Sequence, residues 1–335
     1  MRIKKKYSLV LFWLLVGGIA FAQDIHFSQY YFSPIELNPA NTGNYEGDWR
    51  FVNNYRSQWK NIIKPYNTLA VGFDKPIYFY NEKFSAGFQF INDKSGGSLK
   101  VNEFLFSGAY HKSLNGHNLH GGLQAGYVRK RIDLSDLTFP DQLNWDNGTF
   151  DNSLPNHETG LNTSLGFLDM NFGLGWNKKF KKLEPTVGFS LFHFNYPKES
   201  FFGQTNRLKP RKVFTAEVTY SLSGKVALIP RWLIVGETKA SEMLLGTNIR
   251  YKLDAVSVPF VFVGASYRDG FKNNTDAAIV TSGLRYKNFD VGISYDLNIS
   301  SLHVATNYRG AFEIAIIYTA PNTRLTKIQI PCERY

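Results

Sequence analysis

Across residues 49–318, large apolar residues alternate with small or polar ones, in stretches broken by Gly, Asn, Asp, Ser and Lys. In "FLDMNFGLGW", Leu168, Met170, Phe172, Leu174 and Trp176 share one face, while Asp169, Asn171, Gly173 and Gly175 share the other. "FDVGISYDL" repeats this with Phe289, Val291, Ile293, Tyr295 and Leu297 against Asp290, Gly292, Ser294 and Asp296. A period of two is that of a β-strand. The pattern predicts about fourteen strands, near 49–57, 67–75, 84–93, 100–111, 118–132, 166–178, 184–194, 211–221, 226–239, 242–253, 259–268, 277–286, 289–298 and 310–318. Each is close to the roughly ten residues that a tilted membrane strand requires. The strand at 226–239 is the weakest, because Pro230 interrupts it. No long helical pattern follows residue 22 and no linker divides the chain, so 49–318 reads as one domain.

Alternation alone fits a soluble sandwich or a membrane barrel, and the smaller face decides between them. A strand face in bulk water is usually rich in Lys, Glu and Thr. Here it carries Gly72, Gly87, Gly126, Gly173, Gly175 and Gly292 with Asp169, Asn171 and other small or singly charged residues. The opposite face is large, and its aromatics gather near strand ends (Trp59, Tyr110, Tyr127, Trp176), where interfacial girdles lie. The fold expected is all-β: a transmembrane antiparallel β-barrel of about 14 strands in an outer membrane, apolar side to lipid. Connection lengths agree. Short links such as "KPIYFYNEK", "LNGH", "KKFKKL", "SGK" and "KN" alternate in phase with long ones such as residues 134–164 and 195–212. The short set is expected on the periplasmic side.

Residues 24–44, "DIHFSQYYFSPIELNPANTGN", hold no period. His26, Phe27, Tyr30, Tyr31 and Phe32 would be costly to leave in water, and Pro34 and Pro39 keep the ribbon from pairing as a strand. Glycine weakens strands and is favoured where another backbone approaches. The inward glycines therefore suggest either plain curvature or a lodger on the inner wall. The ribbon, tethered just before the first strand, is the obvious lodger, within or across the periplasmic mouth.

The start of the chain fixes the compartment. Arg2, Lys4, Lys5 and Lys6 precede the apolar run 7–21 and the small-residue site Ala20-Phe21-Ala22, the three parts of a secretory signal cleaved after Ala22. The divisions expected are a signal at 1–22, a plug-like segment at 23–48, the barrel at 49–318 and a periplasmic tail at 319–335. Losing the signal lowers the net charge from +11 to +7, four basic residues fewer. No basic cluster interleaves with aromatics except around 178–182, which reads as a turn, so nucleic acid is not an expected partner. Cys332 is the only cysteine and allows no intrachain disulfide. No metal-ligand spacing occurs; His117 and His120 read as solvated histidines in a turn-like stretch. The acidic loop 133–158 lacks EF-hand spacing, and Gly173-x-Gly175 lacks the setting of a dinucleotide site. No catalytic, cofactor or metal residues are expected, and no enzyme, although spacing does not exclude a hydrolase assembled by folding.

"FSQYYFSPIELNPANTG" (27–43), "NNYRSQW" (53–59), "YNTLAVGFDKPI" (66–77) and "LTFPDQ" (137–142) resemble the PorP/SprF family of Bacteroidota outer-membrane proteins. The resemblance is most specific in the N-terminal block, while later strands are similar mainly in rhythm. It implies a non-enzymatic part in type IX secretion, helping to secrete or anchor a surface adhesin, including adhesins used in gliding. The implied partners are outer-membrane lipid, periplasmic secretion-ring proteins and a large secreted adhesin with a C-terminal sorting domain. The alternative is a passive channel for small hydrophobic molecules, a type that also combines such a barrel with an N-terminal plug. A structural barrel without a transport role is a third reading.

Overall fold

Fourteen antiparallel strands close into a barrel in the computed structural model, which describes residues 26–60, 64–80, 82–135, 137–151, 153–155, 162–237, 240–270, 274–301 and 303–323. The signal expected at 1–22 and Cys332 lie outside the described residues. The strands are β1 (Arg50–Gln58), β2 (Tyr66–Phe79), β3 (Glu82–Ser95), β4 (Leu99–Leu114), β5 (His117–Ile132), β6 (Ser164–Lys178) and β7 (Leu183–Phe192). They continue as β8 (Arg211–Ser221), β9 (Val226–Glu237), β10 (Ala240–Lys252), β11 (Phe260–Gly270), β12 (Asn274–Tyr286), β13 (Phe289–Asn298) and β14 (Arg309–Thr319). Each pairs with its successor, and β14 returns to β1 from Arg50↔Thr319 to Gln58↔Ala311, so no edge is left.

The alternation is inside-out relative to a soluble protein. Leu168 is 64% exposed while the adjacent Asp169 is 2% exposed. The same division holds in β13, where Ile293 and Tyr295 face out and Gly292, Ser294 and Asp296 are buried. An apolar outer wall needs a non-aqueous surround.

Two strands differ from their sequence reading. "KPIYFYNEK", expected as a turn, is mostly ladder: β2 runs to Phe79 and β3 begins at Glu82, with Tyr78↔Lys83 and Phe79↔Glu82 paired. Tyr80, at φ 52°, makes the reversal possible in two residues. β9 continues through Pro230 because only one of its two seams loses pairing there. The ladder to β10 is unbroken at Pro230↔Thr247, whereas the ladder to β8 skips from Glu217↔Arg231 to Tyr220↔Leu228. A residue without an N–H lacks the donor for one neighbour only.

The ribbon before β1 is three successive single turns of helix, Tyr30–Phe32, Pro34–Leu37 and Pro39–Asn41. Pro34 and Pro39 start the second and third, where a missing N–H costs nothing. Outside the barrel wall, a two-stranded ladder, Leu143↔Phe150 and Asn144↔Thr149, shapes the long loop after β5.

Candidate functional site

The interior of the barrel is where the chain departs from a plain wall. The ribbon threads the lumen from the rim that bears β1 and β14, and it is pinned along its length. At the rim, Asp74 takes two hydrogen bonds from Arg50 (3.0 and 2.6 Å) and one from the Gly43 N–H (2.6 Å). Arg50 also donates to the Asn41 carbonyl at 3.0 Å and lies over the Tyr45 ring at 4.4 Å. Six residues along β1, about 20 Å at strand rise, Arg56 donates to the Ser28 hydroxyl at 2.8 Å. Arg268 donates to the same hydroxyl at 2.9 Å, and that hydroxyl in turn donates to Asp296 at 2.8 Å. Glu313 accepts the Ser28 and Gln29 N–H groups at 2.7 and 2.9 Å and pairs with Arg56. Breaking one partner of such a buried cluster costs roughly 3–5 kcal/mol, because the other charges stay dry.

Between these ends the aromatics seat the ribbon. Phe27 packs with Ala70 and Ile91, and Tyr30 joins Phe192, Val213, Leu233, Leu244 and Ile279. Phe32 sits against Phe262 and Ala315. Burying each such side chain contributes roughly 1.5–3 kcal/mol. Tyr31 lies under Arg231, 4.0 Å from guanidinium to ring centroid, with its hydroxyl 3.1 Å from the Asn248 amide. His26 lies 3.8 Å from Glu242. Glu242 pulls its pKa up, but burial together with Arg268 and Arg56 outweighs that and holds it below the usual histidine value.

On the opposite side the ribbon lies flat on a bed of glycines. Asn38 donates from Nδ2 to the wall carbonyls of Leu174 (2.8 Å) and Phe189 (3.2 Å), and accepts from the Ala40 N–H at 2.9 Å. A Cβ at Gly173 would overlap the Asn38 side-chain oxygen, and one at Gly122 would lie 2.5 Å from Ala40 N. One at Gly292 would lie 2.5 Å from Gln29 Oε1 and 2.7 Å from the Phe32 ring; one at Gly87 would lie 2.9 Å from Thr42. Gly72 is looser, with Ile35 at 3.5 Å.

Four other inner-wall residues meet wall rather than ribbon. A Cβ at Gly126 would run into Leu105 backbone at 2.7 Å, and one at Gly175 would meet His120 at 3.4 Å. Asp169 bonds His193 at 2.7 Å, while Asn171 donates to Gln124 at 2.9 Å. Asp169 and Asn171 border a cavity of about 30 Å³, with Glu36, Glu103 and Arg211. Glu36 Oε2 is buried without a hydrogen-bond partner among the described residues. Burial pushes the Glu36 carboxyl up to about 8, with Arg211 pulling the other way.

One sequence reading is corrected. His120 is not solvated: it is buried on β5, with Nδ1 2.8 Å from Nδ1 of His111, whose Nε2 lies 2.9 Å from the Thr42 carbonyl. His117 is at the start of the same strand and accepts from Trp176 Nε1 at 3.1 Å. The hairpin Leu114–His117 folds β4 onto β5 and brings positions 111 and 120 opposite one another. In the outer loop, Asp133 is paired with Lys100 at 2.9 Å and accepts from Ser135. Asp136 and Glu158 of that loop lie outside the described residues.

Sequence reasoning missed the pins Ser28, Arg56, Arg268, Asp296, Glu313 and Asn38. A faint signal was present: Arg56, Arg268, Asp296 and Glu313 all occupy small-face positions of their strands, where a charge has no solvent to meet.

Comparison with known proteins adds two findings. A family model described as type IX secretion system membrane protein PorP/SprF matches residues 19–318. Among solved structures, the CymD monoaromatic hydrocarbon channel is similar with a TM-score of 0.52 at 11% identity, over 92% of this chain and 96% of that one. A mutant of the TodX monoaromatic hydrocarbon channel gives 0.47 at 9% identity, over 84% and 92%. A comparison with curated proteins finds no match in sequence.

Proposed function

This chain belongs to the PorP/SprF family of type IX secretion system membrane proteins, and from that premise we propose that it is a non-enzymatic outer-membrane barrel that helps secrete or anchor a surface adhesin. The single observation that supports a non-channel role is the lumen filled by the chain's own residues 26–43, pinned by buried charges at both ends. A barrel whose interior is bonded shut does not select solutes; it offers its two ends as surfaces. The rim bearing β1, β14 and the tail 319–335 faces the periplasmic secretion ring. The long loops after β5 and β7 face the cargo, an adhesin with a C-terminal sorting domain. In this reading His26, Phe27, Tyr30, Tyr31, Phe32, Pro34 and Pro39 form the plug, and Gly72, Gly87, Gly173 and Gly292 form its seat.

The second reading, a passive channel for small hydrophobic molecules, draws on an aromatic-lined cavity of about 170 Å³ beside the plug. Chromosomal deletion separates the two. Loss of a large protease-accessible surface protein, with its accumulation in the periplasm, is the result expected. Normal surface display with impaired uptake of hydrophobic compounds would transfer the assignment to the channel.

A further inference from the structure

Away from Gly122 and Gly173, the plug and the wall leave two cavities of about 170 and about 240 Å³ that share Arg250 and Phe260 as lining. The first lies between Phe32 of the plug and Ile229, Phe262 and Ile317 of the wall, a recess with an apolar side faced by the polar Arg231, Asn248 and Asp290. The second is bordered by Ser223, Lys225, Lys252 and Pro259, at strand ends on the rim where β1 begins and β14 ends.

Among the described residues two cations around these cavities lack a carboxylate partner, Arg250 and Lys252, and of these Lys252 is exposed to solvent while Arg250 is partly buried. Arg231 bonds Glu217 at 2.5 Å, Arg285 bonds Asp290 at 2.6 Å, and Lys225 pairs with Asp254. Arg250 faces the Phe260 ring at 5.5 Å and, among the described residues, has no carboxylate within ion-pair distance. A partly buried guanidinium without an anion is costly, and its planar fork suits a carboxylate. A neutral hydrocarbon would fill the recess and leave that charge unmet. A small inorganic anion would meet the charge and leave the recess empty.

We propose that this pair of cavities is a binding site for a carboxylate carried on a phenyl-sized apolar group. The carboxylate bonds Arg250, and the apolar group enters the recess between Phe32, Ile229 and Phe262. Entry is from the rim where β1 begins and β14 ends. Two sources present that chemistry: a free small acid, or the C-terminal end of a peptide whose last side chain is apolar. The site does not depend on the secretion role, and its test is independent of surface display.

The test uses the mature full chain in lipid nanodiscs and fluorine NMR titration with 3-(4-fluorophenyl)propionate, alongside its neutral amide. A pentapeptide ending in 4-fluorophenylalanine, with its C-terminus free or amidated, forms the second arm. Saturable binding of at least one free carboxylate is expected, with the matching amide weaker by about 10-fold, the size of a lost charge-assisted hydrogen bond. Arg250→Gln should weaken the carboxylate to the level of the amide, while Arg250→Lys, which keeps the charge and loses the planar fork, should fall between the two. Lys94→Gln on β3, outside the lining of both cavities, should change little. Heat-shifted migration on gels checks that each variant is a closed barrel. Binding of the small acid alone assigns the site to a metabolite-sized ligand, and binding of the free-ended peptide alone assigns it to a chain end. Equal affinity of acid and amide, indifference to Arg250→Gln in a closed barrel, or no saturation in either arm overturns the proposal.

Discussion

Gly121 and Gly122 are adjacent in β5 and answer to opposite surroundings. A Cβ on Gly121 would point to lipid and find only Leu174 Cδ2 at 4.0 Å. A Cβ on Gly122 would enter the plug backbone, 2.5 Å from both Ala40 N and Pro39 O, where no side chain can yield. Gly122→Ala is therefore expected to lift the Asn38–Ala40 turn from its seat. In planar bilayers it should raise single-channel conductance, and in thermal melts it should lower the transition; Gly121→Ala should do neither. If both alanines behave alike, the glycine bed is curvature and not a seat. The pair also marks what a sequence discloses at this scale. A glycine on the small face was readable as a close approach, yet Gly126 and Gly175 looked no different from Gly173 and approach only the wall. The distinction lies in which partner arrives, and that partner is set by the path of another segment.

At the scale of the element, the plug is a row of single helical turns held by its neighbours rather than by its own hydrogen bonds. Such short turns do not stand alone, so their stability is the stability of their contacts. Glu36 makes that contact sensitive to pH. Its carboxyl titrates at about 8 when seated, above the 4.5 of the free side chain. The seated state therefore holds the proton more tightly, and its stability is full below 4.5 and lost as pH rises through 8. The charged groups facing it are Arg211 and Glu103, with Asp169 and His193 across the same small cavity. His26 works with the opposite sign, its neutral form being favoured, but its effect falls below its ordinary value of 6.5. Between pH 7 and pH 9 Glu36 dominates. Limited proteolysis of the N-terminal segment should speed up over that interval in the wild type and stay flat in Glu36→Gln. A wild-type rate without pH dependence would remove Glu36 from the balance. None of this was visible beforehand. The ribbon's aromatics and prolines announced an irregular apolar lodger, whereas the neighbours of Glu36 come from positions 91 to 211 and meet only when the barrel closes.

For the whole molecule, one inversion governs the rest: large residues face lipid, and the inner face is small or charged except where Phe192, Leu233, Leu244, Ile279 and Phe262 receive the plug's aromatics. It was legible because period two survives on most strands; β9, with inward Ile229 and Leu233 as apolar as outward Trp232, does not show it. What stayed hidden was the lumenal charge cluster. Arg56, Arg268, Asp296 and Glu313 come from four strands, and closure of β14 on β1 is what brings Arg56 opposite Glu313. The inversion can be tested on two adjacent residues of β6. Phe172 faces out between Leu123 and Leu191 of the neighbouring strands, and Gly173 faces in against Asn38. Phe172→Arg puts a charge into lipid near mid-strand, which costs about 2–4 kcal/mol at the bilayer midplane. It should slow insertion into vesicles and lower the urea midpoint there, while leaving conductance of the inserted fraction unchanged. Gly173→Trp places its bulk where the plug lies, so it should insert at the normal rate and then conduct abnormally or fail to reach the compact, heat-shifted form. Insertion is thus sensitive to the outer face and closure to the inner one. If Gly173→Trp blocked insertion and Phe172→Arg were silent, the two faces would have to be exchanged, and the plug with them would lie outside the wall it is said to fill.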